Sequence, residues 1–476
     1  MHELFDVVDT VSMRFRCMLM TVGLLVQTGC LIQEAPPPPP RFGSALHADP
    51  SSCGQPSYAW LDDERLGQVL EREAVRIFEV DDSAGSLDTL RETHIANVAH
   101  TPLRRVFLDR IRYLTQDRGQ LVEATALYAF PDPDEVDGEL PLVIYTHGTS
   151  GYSDLCAPSH DAESPTASEA AIIGVFASVF SSSGGGAIVV APDYLGMNGF
   201  GAPATVPHAY FVAEPTAIAS LDAAHAALEL ARQDELDVQG VVVGGASQGG
   251  HAAALTVRYA PHYAADLHLV GSVSAIPPLD LVGHAELAMS SAAVPLNIGN
   301  LVAVLISAQR WYELPRAALL DIVDEAAVDA VEASMQSSCH LPQLDLPLDE
   351  IFAPDVIAAA QAGNLAALPE PWGCIFARSS LPDTDIERLD DTPGLVVVGS
   401  EDTLVDAAVE RRDLTTLCEQ GQSLAFTECA GRNHEGTFLA AIDDMLDFLE
   451  ARVAAAPMVD ACVAAEPGLC GSDPER

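Results

Sequence analysis

Six short apolar runs recur along this chain: "LPLVIYTHG" (140–148), "GAIVVAPDY" (186–194), "GVVVGGAS" (240–247), "LHLVGSVSAIPP" (267–278), "GLVVVGSED" (394–402) and "SLAFTECAG" (423–431). A strand that is apolar at nearly every residue is buried on both faces, so helices must cover its sheet from above and below. Such helices are readable between and after the runs: "AIASLDAAHAALELARQ" (217–233), "QGGHAAALTVRYA" (248–260), "VDAAVERRDLTTLCEQG" (405–421) and "GTFLAAIDDMLDFLEARV" (436–453). Alternating strand and helix predict an α/β fold with a mostly parallel central sheet flanked by helices. Upstream, "IRYLTQDRGQLVEATALYAFP" (111–131) reads as two strands around a Gly turn. One interval breaks the rhythm. From about 277 to 392 the chain is rich in Leu and Ala, punctuated by Pro, with helical stretches such as "LPRAALLDIVDEAAVDAVEASM". That is too long for a loop, so it predicts a helical cap inserted between two sheet strands.

The third run ends in Gly245-Ala246-Ser247-Gln248-Gly249 and passes directly into a helix. A nucleophilic serine must project into a cleft, and a sharp strand-to-helix turn achieves this at the expense of backbone strain. Small residues two before and two after the serine let strand and helix pass closely. The turn also aims the free N–H groups of the helix N-terminus at the reacting centre. Ser247 is therefore the candidate nucleophile. It needs a base, and in this class of fold the order along the chain is Ser, acid, His. The fifth run ends in Gly399-Ser400-Glu401-Asp402, at the end of a strand, where open parallel sheets carry their sites. Asp402 is the candidate acid, with Glu401 and Asp406 as rivals. After the sixth run comes "AGRNHEGT", and His434 is the only histidine after His340. It is the candidate base. His251, four residues after Ser247, is expected to serve packing or the rim. "YTHGTSG" (145–151) ends the first run, where the first oxyanion donor belongs. That donor is assigned to Thr149, whose hydroxyl could assist, and the second to Gln248, the residue after the nucleophile.

The charge balance narrows the partners. Asp and Glu total 69 against 23 Lys and Arg, a formal charge of −46, and no lysine is present. Such a surface repels nucleic acid and anionic membranes, so neither is expected as a partner. Arg replacing Lys through a GC-rich genome and an acidic, salt-adapted surface both give this composition. Neither bears on the chemistry.

The beginning of the chain reads as an export signal. Arg14 and Arg16 precede an apolar run from Cys17 to Val26, and small residues lead to Cys30. The signal reads better from Met13 than from Met1, because Glu3, Asp6 and Asp9 do not suit a positive leader. "VQTGC" resembles the lipobox of bacterial lipoproteins, which makes Cys30 the candidate lipidated residue, with Gln27 where Leu is usual. A lipid anchor is then the only expected membrane attachment. "APPPPP" (35–40) follows as a stiff spacer. The resulting division is a signal over 1–30, a Pro-rich tether over 31–56, a catalytic domain over 57–456 and a tail over 457–476. Of ten cysteines, eight lie beyond the signal, and an even number in an exported chain favours disulfides. Cys462 and Cys470 are placed to close a small loop in the tail, while Cys418 and Cys429 bracket a helix-to-strand connection. No cysteine has His at metal-ligand spacing, so zinc is not expected.

Taken together, the "GASQGG" elbow, "HGTSG" with the following "DLCAPS", "APDYLGM", "LDAAHAAL", "GSED" and "NHEG" resemble the secretory (LIP-type) lipases of the α/β-hydrolase superfamily. The likeness spans about residues 100 to 455, with Ala246 where the family often has Tyr or His. It implies a serine esterase or lipase acting on a small-molecule or lipid ester, a helical cap over the acyl pocket, and no metal or cofactor. It also implies Ser247, Asp402 and His434 as the triad. Two alternatives stay open from sequence: a peptidase or amidase on the same fold, and a non-catalytic surface binding protein.

Overall fold

The computed structural model describes residues 52–55, 58–78, 105–164, 168–180, 185–290, 298–458, 461–464 and 466–471. The signal, the lipidation candidate Cys30 and the Pro-rich spacer lie outside the described residues. Nine strands form one sheet: β1 (Val69–Phe78), β2 (Val106–Asp117), β3 (Gln120–Pro131), β4 (Leu140–Thr146), β5 (Ile188–Pro192), β6 (Val238–Ala246), β7 (Leu269–Ala275), β8 (Gly394–Gly399) and β9 (Leu424–Cys429). Their order across the sheet is β1-β2-β3-β5-β4-β6-β7-β8-β9. The pairings β1–β2, β2–β3 and β3–β5 are antiparallel, and every pairing from β5 to β9 is parallel. The β2–β3 hairpin turns on Arg118 and Gly119, both at positive φ (47° and 73°), the two-residue geometry whose twist matches its strands.

The apolar runs are two-sided for a visible reason. On one face, Leu142 and Ile144 of β4 and Val241 and Val243 of β6 pack under α2 (Ala213–Gln233) and α3 (Gln248–Tyr263). On the other, Val143, Tyr145 and Val242 meet α1 (Ser168–Val179) and α12 (Ile442–Val453). The interval between β7 and β8 is helical: α4 (Leu281–Ser290), α5 (Ile298–Trp311), α6 (Arg316–Leu320), α7 (Glu325–Ser337), α8 (Pro354–Gln361) and α9 (Trp372–Arg378). These helices surround an apolar core of their own, which includes Ile298, Ile306, Trp311, Val328 and Trp372. Beyond β8 come α10 (Ala407–Glu419) and α11 (His434–Ala440).

Four details differ from the sequence expectations. The last helix is two helices, α11 and α12, parted at Ala441 (φ −98°, ψ 6°). β1, where charged and apolar residues mix without strict alternation, carried no recognisable strand pattern. The cysteine pairing also departs. Cys462 and Cys470 do not bond to each other: the disulfides are Cys53–Cys374, Cys156–Cys339, Cys418–Cys462 and Cys429–Cys470. The tail runs parallel to β9, with bridges Phe426–Ala464 and Cys429–Gly468, so its two cysteines are held apart at opposite ends of that strand. Cys53, inside the expected tether, is fully buried and bonded to Cys374 of the cap, so the folded domain reaches back at least to Cys53.

Candidate active site

Ser247 joins β6 to α3 with φ 58° and ψ −120°, a conformation that costs a non-glycine residue about 1–3 kcal/mol. It persists because its surroundings leave no other course. The Ser247 N–H donates to the Ala275 carbonyl of β7 at 2.9 Å, and its carbonyl accepts the His251 N–H at 3.1 Å. Gly245 and Gly249 press against β4: a Cβ at either would overlap the Thr146 carbonyl oxygen. Thr146 Oγ1 then donates to the Gly249 carbonyl at 2.7 Å, tying the start of the helix to the neighbouring strand. The spacing of small residues around the serine thus has a steric cause.

Asp402 follows β8, and its carboxylate is fully engaged. Oδ1 accepts the N–H groups of Leu404 (2.8 Å) and Val405 (3.0 Å), while Oδ2 lies 2.7 Å from His434 Nδ1. The side chain of Asp402 is fully enclosed and that of His434 is 16% exposed. The two loops are laced together by Ser400 N–H to the Cys429 carbonyl (3.1 Å) and Glu401 N–H to the Arg432 carbonyl (3.0 Å). His434 opens α11, and Asn433 caps that helix through the Gly436 N–H at 2.9 Å. The rival carboxylates have other positions: Glu401 is exposed, and Asp406 caps α10 by accepting from Ala408 and Val409. His251 is buried on α3, where Nε2 donates to the Ser379 carbonyl at 2.7 Å; burial lowers its pKa to about 4 and keeps it neutral.

Ser247, His434 and Thr149 line one cavity of about 320 Å³, together with the cap residues Leu281, His284, Asn300 and Phe376. The loop carrying Thr149 is pinned from beneath. His147 is fully buried, lies against Tyr194 with ring centroids 4.3 Å apart and tilted by 31°, and places Nδ1 2.7 Å from the Gly148 carbonyl; Tyr194 OH donates to the His147 carbonyl at 2.8 Å. Burial lowers the His147 pKa to about 4. The Cys156–Cys339 disulfide fastens the same loop region to the cap. Gln248 is the first residue of α3, so its backbone N–H has no intrahelical partner. On the cap side, His284 Nε2 meets Glu410 Oε1 of α10 at 2.8 Å, and Glu410 Oε1 also accepts the Leu279 N–H at 3.0 Å. Burial pushes the Glu410 carboxyl up to about 7, and it outlasts the lowering effect of His284. Among the described residues, no three His, Cys, Asp or Glu side chains gather in a way that could hold a metal ion.

The sequence reading missed the cavity residues Tyr210, His284 and Asn300. They come from a loop before α2 and from two cap helices, and no residue spacing marks them.

The family model for secretory lipases matches residues 177–461. No curated protein matches the sequence. Among solved structures, the chain is similar to the rice cell wall degrading esterase LipA from Xanthomonas oryzae, at 20% identity and a TM-score of 0.61, over 83% of this chain and 98% of that one. It is also similar to Candida antarctica lipase A in its closed state, at 15% identity and a TM-score of 0.63, over 86% of each chain. At these identities the structures share a fold.

Proposed function

The chain belongs to the secretory lipase family, and we propose that it is a serine hydrolase cleaving carboxylic esters through an acyl-enzyme. The observation that carries this reading is the 2.7 Å pairing of His434 Nδ1 with a fully enclosed Asp402, on the wall of the same cavity as the strained Ser247. Ser247 Oγ attacks the acyl carbon and gives its proton to His434 Nε2. Asp402 holds the Nδ1–H tautomer and stabilises the imidazolium that forms. The backbone N–H groups of Thr149 and Gln248 receive the developing oxyanion. His434 then protonates the leaving alcohol, and water, activated by the same imidazole, releases the acid and restores Ser247.

The four disulfides support an oxidising compartment. On its sequence pattern alone, Cys30 is proposed as the lipid-bearing residue of an exported chain.

The test is hydrolysis of p-nitrophenyl esters from C2 to C16 by the full chain and by Ser247→Ala, with a fluorophosphonate probe in parallel. Ester cleavage and labelling, both lost in the variant, are expected. Labelling without turnover of any ester, at low and high salt, would move the reading to an amidase. A folded protein that neither labels nor turns over would move it to a binding protein.

A further inference from the structure

The cavity has a polar end, at the junction of the cap with the loop before α2. Tyr152 and Tyr210 both donate to Oδ1 of Asn300, each at 3.0 Å. Tyr210 is fully buried and burial pushes its hydroxyl up to about 12, so it carries its hydrogen throughout the neutral range. A phenol has one hydrogen to give. With it donated to Asn300, the 2.8 Å contact between Tyr210 OH and Thr149 Oγ1 is a donation from Thr149. The Thr149 hydroxyl is thereby occupied, and what Thr149 offers an oxyanion is its backbone N–H.

The second consequence concerns Asn300 itself. Both tyrosine hydroxyls meet its carbonyl oxygen. Its Nδ2, with two N–H donors, meets no acceptor among the described residues, and Asn300 lines the cavity that holds Ser247 and His434. A hydrocarbon chain seated against Nδ2 would displace water from these donors and offer nothing in return. An oxygen acceptor would replace that water. Sites built to meet a polar group discriminate strongly against analogues that lack it.

We propose that Asn300 is a specificity residue whose Nδ2 donates to an acceptor oxygen in the substrate, so that the preferred substrates are esters oxygenated a few bonds from the scissile group rather than plain hydrocarbon esters. This rests on the ester-hydrolase reading above. Two hydrogen bonds link Thr149 Oγ1 to Asn300 Oδ1, a span of at most about 6 Å. Thr149 and Asn300 are therefore near neighbours on the cavity wall, which puts the substrate's acceptor a few bonds from its reacting carbonyl.

The experiment uses the full chain and two panels of isosteric esters. In one, a single methylene of a p-nitrophenyl acyl chain is replaced by an ether or ketone at successive positions. In the other, butyrates of alkanols are matched with butyrates of alkoxyalkanols, read by pH-stat. The readout is the ratio of kcat/KM for each oxygenated ester to its all-carbon partner. At least one position is expected to be preferred by about tenfold. That ratio should fall to about one in Asn300→Leu. It should also fall in Asn300→Asp, which is nearly isosteric, still accepts from both tyrosines and has no N–H to give. A purely structural Asn300 would lower both members of a pair alike and leave the ratio standing, which would overturn the proposal. So would the absence of any preferred position in the wild-type chain. Turnover of plain esters with no preference sinks the Asn300 assignment alone. Failure to cleave any ester sinks the ester-hydrolase reading with it.

Discussion

Ser247, Asp402 and His434 stand on turns that follow β6, β8 and β9 of one sheet, whereas the facing wall of the cavity, with His284, Asn300 and Phe376, comes from helices inserted between β7 and β8. The two walls are held by different means. The sheet side is fixed by backbone: Ser247 N–H on Ala275, Glu401 N–H on Arg432, and glycines that admit no side chain against Thr146. The cap side is fixed by side chains and covalent ties: an apolar core, the His284–Glu410 pair, and the disulfides Cys53–Cys374 and Cys156–Cys339. Backbone-fixed geometry suits groups that must not move during chemistry. A side-chain-built wall can change its lining while the sheet beneath it stays intact.

Removing groups from the sheet wall should have the largest effects. Ser247→Ala is expected to lower kcat by about 10⁶-fold and abolish fluorophosphonate labelling, while circular dichroism stays native. Asp402→Asn comes next, with a loss of about 10⁴-fold as His434 takes the wrong tautomer. Parallel Glu401→Gln and Asp406→Asn variants should keep turnover within a few-fold, and a large loss in either would reassign the acid. On the cap wall, replacing Cys156 and Cys339 by Ser should lower unfolding stability by roughly 2–4 kcal/mol, since the bridge spans 183 residues of sequence. Denaturant unfolding measures this. The labelling rate of Ser247 should change far less than stability, and an equal collapse of both would mean that the two walls are one unit.

The smallest effect is at the seam. His251 on α3 donates to Ser379, just past the last cap helix, and its folded pKa is lowered to about 4 by burial. An unfolded imidazole takes up a proton near pH 6.5, so between pH 6.5 and 4 the unfolded chain binds the extra proton. The contribution of neutral His251 is therefore present above pH 6.5 and is lost as pH falls toward 4. His251→Gln should flatten this part of the pH–stability curve by roughly 2 kcal/mol. An unchanged slope would show that the seam opens before His251 titrates.

This division also explains what could be read from sequence. Strands β4, β5, β6 and β8 were legible because two-sided burial demands apolar runs, and Ser247 was legible because its turn demands glycines at fixed offsets. Asp402 and His434 followed from where strands end. The cap was visible as an interval but its lining was not, since Asn300 and His284 reach the cavity through tertiary packing that no period records. The tail's disulfides failed for a related reason. Closeness in sequence favoured Cys462 with Cys470, but the tail is extended along β9, and extension carries the two apart.

That extended tail closes one end of the sheet. Its bridges to Phe426 and Cys429 occupy the outer side of β9, and two disulfides hold it there. An edge strand with open N–H and C=O groups is a template for another chain, and the tail covers the outer edge of β9 at these two positions. In this way the tail works as a built-in guard against edge-to-edge aggregation at β9.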